Sequence, residues 1–165
     1  MARCSERAHD QEPTPLEKSV DEVINKLQTP DSCEQFAVNV EKRAPARAQL
    51  ARVRAVVLRA AAHGAGTAVE REALEAVYAY ESAMSSRKGR RFHASRTWQM
   101  IERHGIIPAV ERIVARSTAS SGYSTLVERG FKDKAFEAVV LRHPEAFSEK
   151  AVESARKRMG APGQP

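Results

Sequence analysis

Apolar positions along this chain recur at helical rather than strand spacing. Leu16, Val20, Val23, Ile24 and Leu27 share one face of a helix expected over residues 15–28, opened by Thr14 as N-cap, Pro15 in the first turn and Glu17 in a capping box. Thr29 and Pro30 repeat the start signal. Cys33, Phe36, Ala37 and Val40 then mark the inward face of a second helix ending near Arg43. A third helix, residues 45–63, places Leu50, Val53, Val57, Ala60 and Ala61 inward and Arg47 and Arg54 on a solvated flank, with Gly64 as its stop. Thr67 and Glu70 form another capping box before a fourth, residues 68–84, with Val69, Ala73, Val77, Tyr80 and Met84 on one face.

A basic stretch interrupts the pattern after residue 84. Helices resume from Ser95 to His104 and from Ile107 to Arg116, where Pro108 is tolerated in the first turn. A short helix ends at Gly130, Asp133 caps another that Pro144 closes, and Ser148 opens a last one reaching Met159. The β-branched run FEAVVLRH invites a strand, but no partner strand is visible and a helix is expected. Three helices end in a basic residue followed by glycine, at His63-Gly64, His104-Gly105 and Arg129-Gly130. The basic residue complements the helix dipole and the glycine supplies a left-handed cap. The predicted fold is all-α, a single-domain bundle of about eight or nine helices over residues 14–159, with residues 1–13 and 160–165 as flexible tails.

Composition agrees with that fold and adds a charge asymmetry. Alanine and arginine dominate, with 27 and 19 copies, and 42% hydrophobic residues are enough for a real core. Arginine and alanine are also what a GC-rich genome supplies without functional demand. Residues 14–84 belong to an acidic-to-neutral half: positions 1–84 carry 11 basic and 13 acidic side chains. Positions 85–165 carry 16 and 8, a net +8 that accounts for the whole positive charge of the chain. A surplus so placed favours an acidic partner, whether nucleic acid, an anionic membrane or an acidic protein. The alanine-rich apolar faces are needed for the bundle, however, so no membrane partner is expected. The two cysteines, Cys4 and Cys33, allow neither a disulfide framework nor a cysteine zinc site. No apolar run approaches the roughly 18 residues of a membrane span, the first residues lack a signal-peptide core, and a cytoplasmic location is expected.

The usual anchors of catalysis are missing: there is no glycine-rich phosphate loop, HExxH, GxSxG or zinc-spaced cysteine pair. Acidic residues fall mostly at capping or solvent positions. No cofactor, metal or catalytic residue is expected. Arg87 and His93 have a spacing that resembles the arginine–histidine pattern of HEPN domains, all-helical ribonucleases in which these two residues act on the RNA phosphodiester without metal. The same spacing recurs at Arg3 and His9, and Arg87 and His93 fall in a predicted loop rather than at a helix start, so binding is the stronger reading.

Binding is suggested by SSRKGRRFHASRTWQM, residues 85–100. Arg87, Lys88, Arg90 and Arg91 flank Gly89 in a loop read as flexible, and guanidinium groups pair bidentately with phosphate oxygens. Phe92, His93 and Trp98 add rings that can stack on unpaired bases. In the following helix Ala94, Trp98, Ile101 and Gly105 form a core-facing stripe, so Trp98 is expected to be a packing anchor. Arg96, Gln99 and Arg103 align on a different, solvent-facing side. With Arg112 and Arg116 on the next helix, this is compatible with helix-turn-helix packing. The short basic run at residues 155–159 is read as dipole complementation. The expected activity is non-catalytic DNA or RNA binding, with Arg87, Lys88, Arg90, Arg91 and Arg96 holding phosphates and Gln99 and Arg103 as secondary contacts. The alternative is a helical adaptor docking on an acidic protein, or a homo-oligomer.

Overall fold

Each segment read as helical in the sequence contains a helix among the described residues, though residues 26–28, 41–43 and 115–116, expected at helix ends, are turn or irregular. No strand occurs among the described residues. The computed structural model describes residues 22–116 and 121–160. The start of the first expected helix, the expected tail 1–13 and residues 161–165 of the expected tail 160–165 lie outside them, while Gly160 ends the last helix rather than opening a tail. Residues 22–25 are helical, with Ile24 buried and Val23 exposed rather than inward. Eight longer helices follow: α1 Pro30–Val40, α2 Pro45–His63, α3 Ala68–Lys88, α4 Ser95–His104, α5 Ile106–Val114, α6 Ser121–Glu128, α7 Phe136–Arg142 and α8 Glu149–Gly160. Short 3-10 turns, Lys132–Lys134 and Pro144–Ala146, flank α7.

The starts are set by the caps. Thr29 accepts from the Ser32 N–H at 3.2 Å and the Ser32 hydroxyl bonds back to Thr29, while Thr67 and Glu70 exchange bonds of 3.2 and 3.0 Å. Ser148 receives the Ala151 N–H at 3.4 Å and opens α8 as expected. Asp133 does not cap α7. It lies in the preceding 3-10 turn, Ala135 occupies the cap position, and the Asp133 carbonyl instead accepts from Arg142 at 3.0 Å.

The long helix α3 is the spine. Toward its N-terminus Ala73 joins Val110, Val114, Val140, Ala151 and Ala155 in a core shared with α5, α7 and α8. Toward its C-terminus Ala79 and Ala83 pack with Val56 of α2, Leu126 of α6 and Phe131. A third small core, Ala37, Ala48 and Ala51, joins α1 to α2. The acidic and basic halves of the sequence are therefore not separate bodies, because α3 from the first half carries the helices of the second.

Alanine corrects the inward face of α2. Ala48, Ala51, Ala55, Val56 and Ala60 are buried, whereas Leu50 is 46% exposed and Ala61 faces solvent. Helix α2 is packed between α1 and α3, and small side chains let neighbouring backbones approach closely; a stripe of alanines fits that gap better than leucine. Arg47 and Arg54 are half-buried rather than solvated, and the Arg54 Nε is enclosed without a hydrogen-bond partner among the described residues.

Two carboxylates are exceptions to the expectation that acids mostly cap or face solvent. Glu75 of α3 is 7% exposed and binds Lys134, and Glu137 of α7 is 3% exposed and binds Arg158 of α8 at 2.9 Å. Each pair ties the spine or α7 to a later segment, which is how a buried charge is tolerated.

A more exposed tie joins α3 to the end of α7. Arg142 binds Glu72 at 2.7 Å and His143 binds it at 3.2 Å. Partial burial opposes ionisation of Glu72, but the hydrogen bonds from His143 and Arg142 outweigh it and hold the carboxyl below its ordinary range. A depressed carboxyl contributes stability above its unfolded-state value near 4.5 and loses it as pH falls through the folded value. Wild type should therefore exceed Glu72→Gln in urea-unfolding stability at neutral pH, with the gap closing as pH drops below about 4.5. A gap that stays constant down to pH 3 would contradict this role.

Candidate nucleic-acid interface

The basic stretch divides between a helix end and a folded-back strap. Helix α3 runs four residues beyond its expected end at 84, because Ser85, Ser86, Arg87 and Lys88 contain no helix breaker and two cations suit the negative end of the dipole. Gly89 stops it at φ 64°, ψ 16°, the left-handed cap that a residue with a Cβ adopts only at a cost of roughly 1–2 kcal/mol. The other three glycine stops also have positive φ, but Gly64 and Gly105 are extended in ψ, at 122° and 167°, and are not left-handed caps.

Past Gly89 the chain returns along α3 and is bonded to it. The Phe92 N–H donates to the Ser85 hydroxyl at 2.9 Å, and that hydroxyl donates to the Glu81 carbonyl at 2.7 Å. One carboxylate oxygen of Glu81 accepts from the Ala94 N–H at 2.8 Å, the Trp98 indole N–H at 2.8 Å and His93 Nδ1 at 2.9 Å. The segment read as a flexible loop is thus a strap held by two side chains of the spine. Phe92 also meets Tyr80 edge-on, with ring centroids 5.7 Å apart.

Trp98 is an anchor, as expected, but in a ring cluster at the edge of the fold rather than deep in a core. It is half-buried, with the His63 ring stacked 5.0 Å away and the His93 ring 6.3 Å away, both within 14° of parallel. His63, read as a dipole-complementing end of α2, also binds the Tyr78 hydroxyl at 3.0 Å. Nothing in the local periodicity connects His63 with Trp98; the packing of α2 and α4 against α3 brings them together.

The seven candidate contact residues separate by environment. Arg87 is exposed but its guanidinium donates to the Thr125 hydroxyl at 3.2 Å, and the Lys88 ammonium lies 4.4 Å from the Phe92 ring centroid. Arg90, Arg91, Arg96, Gln99 and Arg103 are all exposed, and the four arginines form no ion pair with any described residue. In the first half, by contrast, Arg52 pairs with Glu41 and Arg59 with Glu34, each at 2.7 Å. Arg87 and His93, the pair with the HEPN-like spacing, face different partners, Thr125 and Glu81, and no hydrogen bond links them.

Beside the strap lies an open groove of about 710 Å³. Its walls include Phe92, Tyr80, Tyr123 and Phe136, and both Arg96 and Arg116 line it. The one carboxylate among its lining residues, Glu137, is occupied by Arg158. Burial, reinforced by Glu137, pushes the Tyr123 phenol up, so its hydroxyl keeps its proton at neutral pH. Sequence reasoning missed Tyr123 and Tyr80 as site residues; they lie on separate helices whose meeting no local pattern announces. Arg112, paired in the sequence reading with Arg116, is exposed but does not line the groove. A single residue, Gly105, separates α4 from α5, shorter than the three or so residues of a DNA-reading helix-turn-helix.

Among the described residues no cluster of His, Cys, Asp or Glu is placed to hold a metal ion, and no helix is long and apolar enough to cross a membrane. No known protein family, curated protein or solved structure matches the chain.

Proposed function

We propose that this chain is a non-catalytic nucleic-acid-binding protein that holds DNA or RNA phosphates through Arg90, Arg91 and Arg96, with Gln99 and Arg103 as secondary contacts. The observation that supports this reading is the group of exposed arginines without carboxylate partners, carried on a strap and helix that are already fixed to the spine. A guanidinium paired with carboxylate must exchange one anion for another on binding phosphate, whereas these four need only shed water and counterions. Arg87 and Lys88, engaged with Thr125 and Phe92, keep their charge and strengthen the local field.

Fluorescence anisotropy with a labelled oligonucleotide across a salt series tests the proposal. Four phosphate contacts give a log–log slope of about −3 to −4, and the triple variant Arg90→Ala, Arg91→Ala, Arg96→Ala should reduce it by about 2 to 3. Absence of binding to any DNA or RNA at low salt would refute the proposal. A stoichiometric acidic protein that co-purifies after nuclease treatment, in a chain that binds no nucleic acid, would establish the adaptor reading in its place.

A further inference from the structure

Phosphate contacts alone need only a convex basic surface, yet one of the exposed arginines, Arg96, borders a groove together with Arg116. Resting on the nucleic-acid reading above, we infer that the interface takes a single strand, with an unpaired base entering the groove lined by Phe92 and Tyr123 while Arg96 and Arg116 hold the flanking phosphates.

Three observations carry this inference. The groove, about 710 Å³, falls within the size range of small-molecule sites. Its chemistry is divided as a nucleotide is divided: rings from Phe92, Tyr80 and Tyr123 offer surface for a base, and the guanidinium groups offer charge for phosphate. The charge of Glu137, which would repel phosphate, is already neutralised by Arg158 at 2.9 Å.

The side of the groove that carries Phe92 and Arg96 is also set before binding. The Phe92 N–H is fixed on Ser85, its ring rests against Tyr80, and α4, which supplies Arg96, is tied to Glu81 through Trp98. A fixed site forfeits less ordering entropy when a ligand enters. In a duplex the bases are paired and stacked, so none enters a groove without being extruded. Duplex DNA nevertheless carries the denser array of charge, and a surface that read phosphates alone would hold it at least as well as a single strand. The sign of the preference therefore separates the two modes.

The experiment compares ligands with equal numbers of phosphates at one low salt concentration, using the full chain. They are single strands of thymidine or uridine of about 15 nucleotides, an abasic strand of the same length, and a hairpin duplex. Single strands should bind about tenfold or more tightly than both the abasic strand and the duplex, since stacking one base supplies that much. The deoxy and ribo strands show whether the 2′-hydroxyl contributes. Tyr123→Leu keeps apolar bulk but removes the ring, and should bring single-strand affinity down to the abasic level. Equal affinity for single strand, abasic strand and duplex would overturn the base-binding groove and leave phosphate binding standing. A preference that survives in Tyr123→Leu would also overturn this groove as the base site. Failure of every ligand to bind would remove both readings together.

Discussion

Replacing Arg158 with alanine should lower the unfolding free energy by about 3–5 kcal/mol, the largest stability loss expected from any single change described above. Glu137 is 3% exposed and its carboxylate receives Arg158 at 2.9 Å, so truncating the arginine leaves an ionised group enclosed without its counter-charge. The same guanidinium donates to the Arg116 carbonyl just beyond α5, so its loss also frees the join between α5 and α8. In a chain of this size the melting temperature should fall by roughly 10 °C. Urea unfolding of the double variant Arg158→Ala, Glu137→Gln supplies the control: neutralising the stranded acid should recover part of the loss. A single variant within about 1 kcal/mol of wild type would show that Glu137 is solvated or protonated in the fold, contrary to the pairing seen.

The second large effect is expected at Glu81, where stability and the proposed function meet. Its one carboxylate oxygen accepts from Ala94, Trp98 and His93, and its side chain is only 15% exposed. Glu81→Ala strips partners from the Ala94 and Trp98 N–H groups and should cost about 2–4 kcal/mol. Trp98 is the only tryptophan in the chain, so its fluorescence reports the change directly. Emission should shift to the red as the indole leaves its carboxylate and histidine neighbours. Binding to a single-stranded oligonucleotide should weaken as well, although Glu81 touches no proposed phosphate contact, because an unpinned strap must be ordered on binding. Glu81→Gln retains an acceptor oxygen and should fall between the two. Unchanged Trp98 emission in Glu81→Ala would contradict the strap arrangement, and unchanged affinity beside altered emission would separate the strap from binding.

The helix boundaries were legible because local chemistry sets them. Thr29 with Ser32, Thr67 with Glu70 and Ser148 satisfy N–H groups that no neighbouring helix can reach, so tertiary packing has little to change there. The end of α3 was misread for a related reason. Apolar periodicity stops at Met84, but the backbone stays helical until Gly89 turns it, since an exposed last turn needs no buried face. Ranking side chains by hydrophobicity likewise favoured Leu50 over Ala48 and Ala51, whereas the width of the gap between α1 and α3 favours the smaller residues.

Within the candidate interface, periodicity correctly separated Trp98 from the exposed Arg96, Gln99 and Arg103, because all four lie on one short helix whose faces repeat at a fixed angle. It gave no hint of Glu81, Tyr123 or Arg158, each of which acts on a residue many positions away. The amino-acid sequence by itself determined the all-helical class, the places where the helices start, and the concentration of positive charge after residue 84, since propensity, capping and charge are local properties. Only the tertiary structure decided that the basic stretch divides into the end of α3, where Arg87 and Lys88 are engaged, and a strap pinned back to that helix, and that Arg96 and Arg116 border one ring-lined groove. Those outcomes depend on which helix faces meet, and the meeting is set by packing across the whole molecule rather than by any stretch of chain.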